Sequence, residues 1–298
     1  MEYTRLLKVS MRGDDVKYMK DILVKLGYLH KSTHDTFGSD TYRAVIEFQK
    51  SHTDAADKPL EVDGVIGPLT WDSIIRESSH NHQSEPDVNI VMPVNISDDA
   101  AAAIAFALKD VNAIRKKVVL EALRHAWDPA KSLKYPLSLY IRGGNLYNTD
   151  LKPNYITAGR INSGARRQPQ YYTEPAKSIM LEAVEANPKT TGADCSGGIV
   201  GLMRYARVVK SSFDATANGL CSGSHSAAIE KRQLLPGDWV GKPGHIGMYV
   251  GGGYVVEWAG HKYGCQLNSL SRRTIYDFTR KKTIRLSGWT KYRKPKHY

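Results

Sequence analysis

Apolar positions along this chain follow two different periods. In the first quarter they recur at helical spacing. Val16, Met19, Leu23 and Leu26 make one stripe behind Gly13-Asp14-Asp15, and Gly27-Tyr28-Leu29 stops it. Ala44, Val45, Phe48 and Gln49 mark a second helix after Phe37-Gly38-Ser39-Asp40-Thr41. A third opens at Asp63-Gly64-Val65-Ile66-Gly67-Pro68-Leu69-Thr70-Trp71. The last two share a pattern: Gly, two residues, Thr, then a helix with an apolar face. Further on, Ile199, Leu202, Met203 and Ala206 again fall at helical spacing, after Asp194-Cys195-Ser196-Gly197-Gly198. The period then changes to two. His245, Gly247 and Tyr249 share one strand face, and Ile246, Met248 and Val250 share the other. Gly251-Gly252-Gly253 is a turn, and Tyr254-Val255-Val256-Glu257-Trp258 is the return strand.

These patterns place reactive side chains at defined points. Cys195 falls in the first turn of its helix, with Asp194 as the cap. Free backbone N–H groups and the positive end of the dipole favour thiolate there. The Cys195 N–H is also a candidate oxyanion donor. The alternative is a buried structural cysteine at a helix start. His245 begins a strand, and folding the hairpin about Gly251 and Gly252 brings Glu257 nearly opposite it. A carboxylate there accepts a hydrogen bond from one ring nitrogen and leaves the other for the thiol. The alternative is a solvated glutamate and an ordinary strand histidine.

Asp-Cys-Ser-Gly, Leu235-Pro236-Gly237-Asp238-Trp239-Val240, Gly-His-Ile-Gly-Met-Tyr-Val-Gly, and a polar residue twelve positions after the histidine together resemble the NlpC-type cell-wall cysteine peptidases, a compact branch of the papain-like enzymes. The resemblance implies an α+β papain-like catalytic domain, an antiparallel sheet with packed helices. It implies Cys195 as nucleophile, His245 as base and Glu257 as orienter. The family more often has His, Asn or Gln at the third position, so Glu257 adds a charge while keeping an acceptor. Tyr140-Ile141-Arg142-Gly143-Gly144 fits a further family element, a tyrosine before Gly-Gly near the thiol. Cys195 follows Tyr140 by 55 positions where about a dozen is usual, so a segment of roughly 148–191 reads as an insertion.

Most of residues 4–78 resembles the small three-helix peptidoglycan-binding domain of wall hydrolases, an all-α unit. Its first loop, Asp35-Thr36-Phe37-Gly38, departs from the usual Asp-Gly. A helical packing module is the alternative. The expected organisation is a binding domain over 1–78, a linker over 79–100, and a peptidase domain over 101–298. The linker is polar, with Pro86 and Pro93. His80 and His82 within it read as solvated residues, and neither a metal nor a cofactor is expected.

Charge sharpens this division. The 298 residues carry a net +12. Residues 1–78 are at −2 (11 basic, 13 acidic), whereas residues 101–298 are at +18 (31 basic, 13 acidic). A basic catalytic domain suits a polyanionic neighbourhood. No nucleic-acid motif accompanies the charge, and a wall rich in anionic polymer accounts for it. Three cysteines do not make a disulfide scaffold. No run approaches a membrane span, and Met-Glu-Tyr-Thr-Arg-Leu-Leu-Lys lacks the apolar core of a signal peptide. This fits a phage lysin made in the cytoplasm and released to the wall, or another export route.

The resulting expectation is a monomeric peptidoglycan hydrolase that cuts stem-peptide amide bonds. In the family the bond lies most often between D-glutamate and a diamino acid. Candidate substrate contacts are Tyr140, Asp194, Ser196, Trp258, Arg166 and Arg167, the arginines meeting an acidic group of stem peptide or glycan. The rival readings are an amidase cutting between muramic acid and L-alanine with the same Cys-His pair, and a non-catalytic wall-binding or phage structural protein. A lipid acyltransferase lacks its membrane anchor here.

Overall fold

The computed structural model describes residues 2–29, 34–80 and 90–298. The chain divides into two compact units, Met1–Asp87 and Val88–Tyr298. The first has three helices, α1 (Asp14–Lys25), α2 (Ser39–Ser51) and α3 (Pro68–His80). Their stripes meet in one core of Val16, Met19, Leu23, Val45, Phe48, Trp71 and Ile74, closed by Phe37 and Ile66 from the loops. Leu26 is only partly buried, because α1 ends at Lys25 and turns away there. Gln49, read as part of the apolar face, is buried for a polar reason. Its amide donates to Asp63 Oδ1 (2.9 Å) and the Val65 carbonyl (3.0 Å), and accepts from the Gly64 N–H (2.9 Å), which ties α2 to the loop before α3.

The second unit is α+β, as the sequence implied. Two helices, α4 (Asp98–Leu108) and α5 (Ala113–His125), lead into a short strand β1 (Ser138–Tyr140). Helices α6 (Ala158–Arg167) and α7 (Ala176–Ala186) follow, then β2 (Thr191–Ala193), which pairs in parallel with β1. Next come α8 (Cys195–Ala206), the single-turn α9 (Ala217–Leu220), and strands β3 (Ser226–Ala228), β4 (Trp239–Lys242), β5 (His245–Gly251), β6 (Tyr254–Trp258) and β7 (Cys265–Ser269). A hairpin of β8 (Thr274–Asp277) and β9 (Lys282–Arg285) precedes the last strand, β10 (Lys291–Pro295). The main sheet has six antiparallel strands in the order β3-β10-β4-β5-β6-β7.

Helix α8 lies against β5 and β6 and is buried along nearly its whole length. Its glycines make that possible. A Cβ at Gly197 would strike the Gly144 carbonyl, and one at Gly198 would strike the Trp258 ring. The core around it includes Ile199, Val200, Leu202, Met203, Trp239, Ile246, Met248, Val256 and Trp258. Beneath the Leu235-Pro236-Gly237-Asp238 turn, Arg115 donates to Asp238 Oδ1 (2.8 Å) and to the Pro236 carbonyl (2.7 Å), a buried pair that fixes the start of β4.

One expectation changes here. The last part of the assigned linker belongs to this unit: Ile96 is in the core, Asn95 donates to the Leu123 and Ala126 carbonyls, and Ser97 is held by Asp128. Polar composition misled because these side chains bond inward. Residues 81–89, with His82, lie outside the described residues. The 148–191 segment, read as an insertion, forms an ordered layer. Helices α6 and α7 bury Ile161, Tyr172, Met180, Ala183 and Val184 against Leu139, Ile141 and Ile156. The Ile179–Val184 stretch supplies part of that face.

Candidate active site

Three elements converge on the thiol. Asp194 caps α8 by accepting from the Gly197 N–H (2.8 Å), and its other oxygen accepts from the Gly143 N–H (2.9 Å). Ser196 donates to the same carboxylate (3.1 Å). The cap therefore fixes the helix start and also clamps the Tyr140–Gly144 segment beside it. Cys195 follows at the first helical position, and its Sγ lies 3.9 Å from the Gly244 carbonyl at the start of β5. Strand β5 then delivers His245.

The His245 ring is held on two sides. Its Nε2 bonds Glu257 Oε2 at 2.5 Å, leaving Nδ1 for the thiol. Trp289 stacks on its face, with centroids 5.6 Å apart and planes 10° from parallel. Burial disfavours the imidazolium, but hydrogen bonds to Cys195 and Glu257, with the charge of Glu257, outweigh it and raise the His245 pKa to about 9. The wholly buried Glu257 would likewise be driven toward its neutral form. Hydrogen bonds from Arg273 and His245 reverse this and lower it to about 2. The site thus favours a cationic histidine beside the thiol.

Glu257 reaches His245 on the diagonal. The ladder pairs Met248 with Val256 and carries a bulge between Tyr249 and Gly251, so Glu257 falls beside Gly247. The absence of a side chain at Gly247 leaves room for Trp289 and Val255: a Cβ there would sit 3.1 Å from each. Sequence spacing brought Glu257 to the right strand face but missed what holds it. Arg273 grips the carboxylate with two nitrogens, Nε to Oε1 (2.7 Å) and Nη2 to Oε2 (2.5 Å), and Asn268 Nδ2 donates to Oε1 (2.9 Å). The Arg273 guanidinium lies over Trp289, 4.6 Å from the ring centroid. Arg273 follows Arg272 in a polar turn and looks like surface charge in sequence. Asn268 was legible only through β7 pairing with β6.

The remaining candidates separate. Burial raises the Tyr140 phenol pKa, and the neighbouring Cys195 and Asp194 add to the shift, so it stays a protonated donor. Ser196 and Asp194 line a cavity of about 330 Å³ with Gly143, Asn145, Asp214, Ala215 and Thr216. Trp258 is not a substrate contact. It is 1% exposed, packs under Gly198, and donates from Nε1 to Ser138 Oγ (2.9 Å). An aromatic beside a site residue on a strand alternates to the opposite face, which here is the core. Arg166 and Arg167 sit exposed in the last turn of α6, and the Arg167 side chain turns back to the Ser163 carbonyl (3.4 Å). The arginine nearer the thiol segment is Arg142, whose guanidinium stacks over Tyr171 at 4.5 Å. Cys221 and Cys265 are buried free thiols, and burial raises the pKa of both.

The second unit is thus an α+β fold carrying a Cys-His-Glu constellation, and the first is a three-helix unit. Residues 12–74 match the family described as "Putative peptidoglycan binding domain". Among solved structures, the chain is similar to NlpC2 from Trichomonas vaginalis, with 23% identity over 34% of this chain and 38% of that one and a TM-score of 0.22. It is also similar to the Burkholderia AP3 phage endolysin, with 17% identity over 61% of this chain and 63% of that one and a TM-score of 0.21. Both matches span less than two thirds of the other structure, and the reading below rests on the site and the domain match. No helix among the described residues is long and apolar enough to cross a membrane.

Proposed function

We propose that this protein is a peptidoglycan hydrolase, a cysteine endopeptidase that cleaves stem-peptide amide bonds while its N-terminal domain holds the wall. The observation that carries the reading is His245 held between Glu257 and the Cys195 thiol, in a chain whose residues 12–74 match a peptidoglycan-binding family. The Cys195 thiolate attacks the scissile carbonyl. The Cys195 N–H and the Tyr140 hydroxyl stabilise the oxyanion. Imidazolium Nδ1–H protonates the leaving amine as the C–N bond breaks, giving a thioester. His245, now neutral, takes a proton from water as its oxygen attacks the thioester. The C–S bond then breaks, the acid departs, and the Cys195 thiolate and His245 imidazolium are restored.

The D-glutamyl–diamino acid bond is the expected target, by resemblance. Mass spectrometry of a digest of purified wall decides the matter. The expected products expose a diamino-acid amine, and Cys195→Ser yields none. Whole stems freed from muramic acid would instead make the protein an amidase. An inert wild-type protein on walls of several chemotypes would leave a binding protein.

A further inference from the structure

The glutamate at position 257 poses an electrostatic problem. A lone buried carboxylate against an imidazolium would hold His245 as a cation and oppose the step in which it must become neutral. The structure contains the answer in the same cluster. Glu257 is fully buried and Arg273 is 4% exposed. The fork of Arg273 occupies both carboxylate oxygens, one of which is the oxygen that meets His245. Its third nitrogen, Nη1, donates to the Ser287 carbonyl (3.0 Å), so the guanidinium is fixed from both ends. Trp289 is in ring contact with both Arg273 and His245.

We propose that Glu257 and Arg273 act as one ion-paired unit, with Arg273 a positioning residue that fixes the carboxylate toward His245 and offsets part of its charge, so that the imidazolium is favoured less than a lone buried carboxylate would favour it. The inference rests on the hydrolase reading for its consequence in turnover. Its physical basis is that breaking a buried ion pair on one side strands a charge, whereas replacing both partners with uncharged groups is far less costly. A single Glu257→Gln keeps an acceptor for the imidazole, yet it leaves the Arg273 cation unpaired near the ring. Among the described residues, the other ionisable groups around the pair include Cys195 from α8, Lys242 from β4, which donates to Ser287 Oγ, the phenol of Tyr263 from the β6–β7 turn, and the thiol of Cys265 from β7. None of these takes the place of the fork.

The test compares full-length E257Q, R273M and the double variant E257Q/R273M. Two readouts are used: kcat/KM on a soluble stem peptide, and titration of the His245 ring followed by nitrogen NMR. The ring midpoint is expected to fall in E257Q, where a cation remains, and to rise in R273M, where an anion remains. In the double variant it lies between them. The double variant recovers about tenfold in kcat/KM over E257Q, a coupling within the range for contacting charged groups. Single-variant shifts of the same sign, or a double variant no better than E257Q, would overturn the proposal. R273K, which keeps the charge, replaces R273M if that variant does not fold, and its ring midpoint is then expected to stay close to wild type rather than fall as in E257Q. The ring titration needs no substrate, so it decides the pairing even if the wall digest refutes the hydrolase reading.

Discussion

Burial alone would drive a histidine at position 245 toward its neutral form, and the opposite direction is observed because Cys195 and Glu257 both favour the cation. This gives a pH signature with a definite sign. The folded pKa is raised from 6.5 to about 9, so the stabilisation carried by His245 is complete below about pH 6.5 and is lost as pH rises through about 9. Glu257 behaves in the reverse sense. Its pKa is lowered from 4.5 to about 2, so its contribution is complete above about pH 4.5 and disappears as pH falls through about 2. The difference in Tm between wild type and H245Q should therefore shrink by a few degrees between pH 6.5 and 9. Hydrolysis should fall over the same alkaline range as the general acid is lost. A Tm difference that stays flat across that range would mean that His245 is not a cation in the folded protein.

At the scale of elements, the site depends on how α8 is held. Trp258 closes β6, covers Gly198 and bonds Ser138 at the start of β1, so one side chain joins a helix to both sheets. Trp258→Ala should cost about 3–5 kcal/mol, the range for removing a buried aromatic, and should lower hydrolysis by letting α8 shift. Denaturant unfolding measures the first, and Trp258→Phe should recover most of both. An alanine variant as stable as wild type would show that α8 is held by its glycine contacts with 144–147 instead. These elements differ in how legible they are in sequence. The β5–β6 hairpin could be read because strict alternation ends in three glycines, all at positive φ. Helix α8 could be read because a cap and a helical stripe agree. The meeting of His245 and Glu257 could be read as nearly opposite, and the bulge between Tyr249 and Gly251 makes it diagonal. The Arg273 fork could not be read, because its partner lies 16 residues away across a turn and an arginine after an arginine reads as solvated. Trp258 was misassigned for a related reason: burial is a property of the packed sheet, which a local pattern does not contain.

At the scale of the whole molecule, each unit has its own core and its own charge. Among the described residues, the three-helix core is built from buried side chains within 7–74, with Tyr3 and Ile75 against it, and the core around α8 from buried side chains from 96 onward, with Ile90 and Met92 against it. The two carry net charges of −2 over residues 1–78 and +18 over residues 101–298. On the proposed function, binding and cleavage are separable properties, joined because tethering raises the local concentration of the site at the wall. A chain beginning at residue 90 should lose most of its co-sedimentation with purified wall at high salt. At low salt the basic unit should keep part of it, because unscreened charge attracts the wall's anionic polymer, and this remnant should vanish near 1 M salt, where screening reaches only about 3 Å. Hydrolysis of a soluble stem peptide by the truncated chain should remain within about twofold of the full-length rate, because tethering does not act on a dissolved substrate. Loss of the soluble activity in a truncated chain that still folds would show that the helical unit builds part of the active site, and the separation of the two functions would be wrong.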